Sequence, residues 1–88
     1  TLPLRARLAK QLLHLVRSYG VPSLSDASEM RIGLQLAQEE LAQLLGASRQ
    51  RVNQELKSME REEAIRIEQG GLVIRNRQAL MHIIEADV

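Results

Sequence analysis

Residues 38–56 read QEELAQLLGASRQRVNQEL, and this stretch has the pattern of two helices joined by a tight turn. The first helix is predicted over 38–45, with apolar residues grouped on one side. Those residues are Leu41, Leu44 and Leu45. Ala42 is small enough for a second helix to cross close by, and Gly46 tolerates the positive φ that the turn requires. The spacing therefore predicts a helix-turn-helix.

The second helix of the pair has a clear start signal. Ser48 is a natural N-cap, because its hydroxyl can accept a hydrogen bond from a backbone N–H of the first turn. The apolar residues that follow at intervals of four and three are Val52, Leu56 and Met59. This pattern predicts a helix to about Glu62, so that the whole pair covers residues 38–62. Leu41 and Leu45 should pack with Val52 and Leu56 against the first helix of the chain.

That first helix is predicted over residues 4–19. Its apolar residues, at intervals of three and four, are Leu8, Leu12, Leu15, Val16 and Tyr19. Gly20 is expected to end the helix in a left-handed conformation, before Pro22, where a helix could not continue. Residues 23–29 are rich in Ser and Asp and predict a loop, and residues 30–35 alternate as a short strand does.

A β-hairpin is predicted directly after the helix pair, over residues 65–75. Two β-prone runs, 65–68 and 72–75, flank Gln69-Gly70-Gly71, where glycine can adopt the positive φ of a tight turn. Asn76 can cap a final helix over 77–86. A hairpin in this place forms a wing, so the predicted fold class is mainly α with a small β-hairpin, a winged helix-turn-helix.

Composition limits the size and the class of the protein. With 88 residues the chain can form one core, so residues 1–88 are predicted to be a single domain. There is no cysteine, which excludes disulfides and a Cys-ligated zinc and fits the reducing cytoplasm. No run approaches the roughly 18 apolar residues of a membrane span, so we expect a soluble protein without a membrane partner. The net charge is only +1, so bulk charge does not argue for nucleic-acid binding.

The sequence contains no recognisable catalytic pair or triad, and no enzymatic activity is predicted. His14 and His82 are isolated, so no metal site is expected. The turn at residues 69–71 lacks the Lys-Ser/Thr of a phosphate-binding loop. We therefore expect no cofactor in this domain.

The outward side of the second motif helix is suited to reading DNA. Arg can pair bidentately with guanine O6 and N7 and Gln with adenine N6 and N7, which makes Arg49, Gln50 and Gln54 the predicted base readers. The acids come later in the helix, so its N-terminal end, where the helix dipole favours phosphate, is positive. The residues predicted to contact the DNA backbone are Ser48, Arg51, Asn53, Lys57, Gln38, Arg66 and Arg75.

Two alternatives remain open at this point. Arg49 and Arg51 could be surface charges paired with Glu55 at helical spacing, and the arginines of the hairpin could simply be solvated. The same fold could also be a protein interaction module in which the second motif helix docks a partner protein and no DNA is read. The low net charge favours that second interpretation.

The helix pair resembles the Crp/Fnr family of bacterial transcription regulators. The residues that carry the resemblance are Gln38-Glu39-Glu40-Leu41-Ala42, Leu44-Leu45-Gly46, Ser48-Arg49, Val52, Leu56, Met59-Glu60 and, upstream, Arg7-Leu8-Ala9. The resemblance implies sequence-specific binding of double-stranded DNA by a homodimer on a two-fold related operator, with RNA polymerase as a candidate partner. It also implies that residues 1–3 are a hinge remnant, and that a cyclic nucleotide or other effector binds an N-terminal domain absent from this sequence.

Four positions depart from the family pattern. Gln50 and Gln54 stand where the family often has Glu and Arg, so we expect a different operator sequence. Ala37 stands where Ser or Thr usually caps the first motif helix, which predicts a loss of about 1 kcal/mol. Glu63 replaces a glycine that is common before the wing, which predicts strain or a shift at the end of the second helix.

Overall fold

The structure, a computed structural model, describes residues 3–86. Its elements are α1 (Leu4–Tyr19), β1 (Val21–Pro22), β2 (Met30–Gly33), α2 (Leu34–Leu45), α3 (Arg49–Arg61), β3 (Ile65–Glu68), β4 (Gly71–Ile74) and α4 (Arg77–Ala86). This order of helices around a small antiparallel sheet confirms the predicted winged helix-turn-helix. Of the predicted hinge, residues 1 and 2 lie outside the described residues.

The two strands of the hairpin belong to a larger sheet than the sequence predicted. The strand order is β1-β2-β4-β3, and all neighbours are antiparallel. Glu68 pairs with Gly71 beside the turn, and Gly70 has φ +71. The strand predicted over 72–75 therefore begins one residue earlier and leaves Arg75 outside it. Because β2 pairs with the other edge of β4, the hairpin is fixed to the body of the domain.

Aliphatic side chains from the helices and the sheet form one core. Its largest fully buried members are Leu8, Leu12, Val16, Leu41, Val52, Leu56, Met59, Ile65, Leu72 and Leu80. The predicted packing of the helix pair on α1 is confirmed, because the inward residues of all three helices share this core. Two expected core residues are not in it, since Tyr19 is 57% exposed and Leu44 is 55% exposed.

Helix α2 begins four residues before its predicted start. The first backbone N–H of the helix finds its hydrogen-bond acceptor in a distant part of the chain. The N–H of Leu34 donates to the carbonyl oxygen of Gly70 at 3.2 Å, so the hairpin turn supplies an acceptor to the helix N-terminus. Gly33 is the N-cap and makes no side-chain hydrogen bond. Ala37 lies inside the helix and is fully buried. The prediction that Ala37 is a missing cap was therefore wrong.

The two glycines that follow helices behave differently. Gly46 has φ +62, as the turn between α2 and α3 was predicted to require. Gly20 has φ −73 and ψ 148, so the predicted left-handed end of α1 was wrong. The chain leaves α1 directly into β1, and pairing with β2 requires an extended backbone there.

Helix α3 is followed by a side-chain-bearing residue in a left-handed conformation. Glu63 has φ +63, which is costly for a residue with a Cβ and agrees with the strain predicted at this position. The next N–H, that of Ala64, bonds the carbonyl oxygen of Met59 at 3.1 Å, and Ala64 is fully buried. The surrounding structure therefore holds Glu63 in this conformation.

We predict that Glu63→Gly raises the free energy of unfolding by about 1 kcal/mol, because glycine adopts positive φ without a steric penalty. Urea unfolding followed by circular dichroism measures the change. Glu62→Gly is the matched control, since Glu62 has φ −87 and its carboxylate pairs with Arg5, so glycine should lower stability there. A loss of stability in Glu63→Gly similar to that in Glu62→Gly would contradict the strain argument.

Candidate nucleic-acid interface

The N-terminal turn of α3 lies at the surface. The Ser48 hydroxyl accepts a hydrogen bond from the backbone N–H of Arg51 at 3.1 Å, which confirms the predicted cap. Ser48, Arg49 and Gln50 are all exposed or half-exposed at the surface. No acidic residue lies in this first turn, so the partial positive charge of the helix end is not cancelled within it. The geometry leaves this end of α3 open to an anionic partner.

Helix α3 has a buried apolar side and an exposed polar side, as the sequence predicted. Val52, Leu56 and Met59 are fully buried in the core. Gln50 and Gln54, one helical turn apart, are exposed. The exposed polar side chains are therefore rigidly carried by a helix whose other side is fixed by the core.

Three of the residues predicted to contact DNA are joined by hydrogen bonds across the two motif helices. Arg49 Nη2 donates to Gln38 Oε1 at 2.7 Å, and Gln38 Nε2 donates to Asn53 Oδ1 at 2.7 Å. Arg49 therefore meets Gln38 rather than Glu55, against the alternative in which Arg49 pairs with that acid. Arg51 does approach Glu55, at 4.0 Å, but its side chain is 58% exposed.

Acidic residues from the middle of α3 to its C-cap, Glu62, fix this helix to its neighbours. Arg5 of α1 donates to the hydroxyl of Ser58 at 2.8 Å, lies 3.9 Å from Glu55 and forms an ion pair with Glu62. Glu60 accepts from the backbone N–H of Ile67 at 2.8 Å. These carboxylates therefore attach α3 to α1 and to the hairpin, at the end away from Ser48. Sequence reasoning missed the role of Arg5, because its partner Glu62 is 57 positions away.

The two predicted wing contacts are in different surroundings. Arg66 donates to Glu29 at 3.1 Å and to Glu68 at 2.9 Å. These hydrogen bonds raise the pKa of the Arg66 guanidinium above its ordinary value, and the bond to Glu29 has the largest effect. Arg75 is exposed just after β4. The charge of Arg66 is thus balanced within the protomer, whereas Arg75 faces solvent.

Residues 3–86 show neither a metal site nor a membrane span. Over that range, no three His, Cys, Asp or Glu side chains come together in a group that could hold a metal ion. None of the helices it contains is both long enough and apolar enough to cross a lipid bilayer. His14 and His82 are exposed on α1 and α4.

The sequence matches a known domain family and a characterised regulator. Residues 6–83 match the model of the Crp-like helix-turn-helix domain. The chain is also similar to the CRP-like cAMP-activated global transcriptional regulator of Mycobacterium tuberculosis, with 38% identity over 74 residues. The match covers 84% of this chain and 32% of that regulator. The chain therefore spans about a third of the length of the relative.

Solved structures with the same fold include regulators from Thermus thermophilus. A transcriptional regulator of the CRP/FNR family from this organism superposes with a TM-score of 0.83 over 100% of this chain and 43% of that one, and at 22% identity this likeness concerns the fold alone. The catabolite activator protein of the same organism gives a TM-score of 0.72 at 27% identity, over 97% of this chain and 35% of that one. The CO-dependent transcription factor CooA from Carboxydothermus hydrogenoformans gives a TM-score of 0.70 at 27% identity, over 91% of this chain and 36% of that one.

Proposed function

Because this chain belongs to the family of Crp-like helix-turn-helix domains, we propose that it binds double-stranded DNA in a sequence-specific manner as part of a transcription regulator. The observation that carries the proposal is the exposed, acid-free N-terminal turn of α3. A helix end of this kind fits the major groove, where side chains reach base edges and the helix dipole favours phosphate. The low net charge of the chain is compatible with this proposal, since the first turn of α3 contains no acidic residue.

Base reading is assigned to three side chains of α3. Arg49 can donate two hydrogen bonds to guanine, and Gln50 and Gln54 can pair with adenine. Gln50 and Gln54 lie about 6 Å apart along the helix axis, which is close to two base-pair steps of about 3.4 Å each. The pair can therefore reach two base pairs of one half-site while Arg49 reads a third.

Backbone contacts are assigned to the side chains around these readers. They are Ser48, Arg51, Asn53, Lys57, Arg66 and Arg75. Gln38, which was also predicted among them, is half-buried and hydrogen-bonded to Arg49 and Asn53. On the wing we favour Arg75 as the main contact, because Glu29 and Glu68 already neutralise Arg66. Phosphate contacts of this kind fix the register of the helix in the groove and carry little sequence information.

The proposal extends to the whole protein. Two copies would bind a two-fold related operator with their α3 helices about 34–36 Å apart, in the cytoplasm and associated with the nucleoid. An effector such as a cyclic nucleotide would bind outside this domain, which itself would need no cofactor. RNA polymerase is proposed as a further partner. The support is the family and the fact that the match covers only 32% of the M. tuberculosis relative.

Selection of duplexes from a random pool, followed by a salt titration with the selected duplex, tests the proposal. Each phosphate neutralised contributes about −0.9 to the slope of log K against log salt, so three contacts from Arg51, Lys57 and Arg75 predict a slope of about −2.7 per protomer. No enrichment, or an affinity independent of salt, would contradict DNA binding and favour the module that docks a partner protein. A random duplex of equal length is the control.

A further inference from the structure

We propose that Gln38 is a positioning residue, which holds Arg49 ready for base reading through a hydrogen-bonded relay from Arg49 to Gln38 to Asn53. The inference rests on the proposed function and assigns Gln38 a different role from a phosphate contact. It is carried by two side-chain hydrogen bonds of 2.7 Å each that link α2 to the first two turns of α3. Both lie at the end of the helix that is proposed to enter the groove.

The chemistry of arginine fixes the direction of this relay. A guanidinium only donates hydrogen bonds, so the atom of Gln38 that faces Arg49 must be its Oε1. The amide nitrogen of Gln38 therefore faces Asn53, which must present Oδ1 as the acceptor. The Nδ2 group of Asn53 consequently points away from Gln38. One guanidinium thus fixes the orientation of two amides.

The relay also explains why Gln38 has few donors left for a phosphate. Its Nε2 is engaged with Asn53 and its Oε1 accepts from Arg49, and the side chain as a whole is half-buried. Arg49, by contrast, is exposed and uses one of its N–H groups, which leaves its other donors for a base edge. Gln38 is therefore placed to orient Arg49, and Arg49 is placed to contact a base.

We expect the relay to increase the affinity for DNA because it orders the Arg49 side chain before the complex forms. Arginine has many rotamers, and holding one of them in advance reduces the loss of side-chain freedom when the complex forms. Because Arg49 is proposed to contact bases, this increase in affinity should apply to the selected duplex and not to a random one. Removing the relay should therefore lower the ratio of the two affinities, by about two- to tenfold.

The test compares affinities for the selected duplex and a random duplex in the intact protein, at one salt concentration. Gln38→Met keeps the length of the side chain and removes both hydrogen bonds. Gln78→Met, at an exposed position of α4, is the matched control. We expect the affinity ratio to fall about two- to tenfold in Gln38→Met and to stay unchanged in Gln78→Met. Unfolding curves of both variants verify that the fold is retained.

The same substitution in an Arg49→Ala background separates positioning from direct contact. If Gln38 acts through Arg49, then Gln38→Met has no further effect on the ratio in that background. An equal loss on both duplexes, in both backgrounds, would instead make Gln38 a phosphate contact and overturn the inference. A higher ratio in Gln38→Met would also overturn it, because the relay would then restrain Arg49 in the wrong conformation. A wild-type protein that does not prefer the selected duplex would overturn the proposed function itself.

Discussion

Replacing Leu56 by alanine is expected to lower the free energy of unfolding by about 3 kcal/mol. Leu56 is fully buried at the centre of α3, where it belongs to the same core as α1 and α2. Truncation removes apolar contacts and leaves a cavity that the surrounding helices can only partly fill. A domain of this size has a total stability of only about 5–15 kcal/mol, so the variant should unfold at a much lower urea concentration. The midpoint of urea unfolding, followed by circular dichroism, measures the loss.

Leu44→Ala is the matched control for this prediction. Leu44 is also a helical leucine of the motif, but it is 55% exposed. Its truncation should change the free energy of unfolding by no more than about 0.5 kcal/mol. Similar losses in the two variants would mean that Leu44 is buried in solution, and that the position of α2 on the core is not the one described above.

The contrast between Leu44 and Leu56 shows what the spacing of apolar residues can predict: it locates the helices but does not decide which of their side chains are buried. Periodicity predicted α1 and α3 well, because their apolar residues recur along a single side that faces the core. In α2, Leu41, Leu44 and Leu45 satisfied the same pattern, yet of these three only Leu41 and Leu45 are buried in the core. Which part of an apolar group becomes buried is decided by tertiary packing, which short-range spacing does not contain.

The start of α2 was missed for a related reason. The acceptor for its first N–H is the carbonyl oxygen of Gly70, in the turn of the hairpin. The apolar spacing of Leu41, Leu44 and Leu45 placed the start at residue 38 instead, and the family pattern then made Ala37 a missing cap. The same hairpin pairs with β2 through β4, and neither contact leaves a signal near residue 34.

For the candidate interface, the sequence predicted which side chains of α3 are exposed but not the contacts that they make. The cap at Ser48 and the exposure of Gln50 and Gln54 follow from local chemistry and helical spacing. The bond from Arg49 to Gln38 joins positions 11 apart on different helices, and Arg66 meets Glu29 across 37 positions. Such contacts depend on the crossing of the elements, so they appear only once the fold is known.

Arg49→Ala is expected to weaken binding to the selected duplex by about 1–3 kcal/mol, which is about 5- to 150-fold. The guanidinium is exposed at the first turn of α3 and bears donors that can pair with guanine O6 and N7. Removing the guanidinium loses both hydrogen bonds at one base pair. The variant should therefore bind a duplex with a different base at that position almost as well as it binds the selected duplex. Competition titrations with duplexes changed one base pair at a time measure this loss of discrimination.

Arg75→Ala separates base reading from charge, because it removes the same type of side chain from the exposed position after β4. A phosphate contact weakens all duplexes alike and makes the slope of log K against log salt shallower by about 0.9. Arg49→Ala should instead act mainly on the selected duplex, since a random duplex seldom offers guanine at the right position. Equal losses on selected and random duplexes in Arg49→Ala would assign Arg49 to the DNA backbone, and base choice would then depend on Gln50 and Gln54 alone.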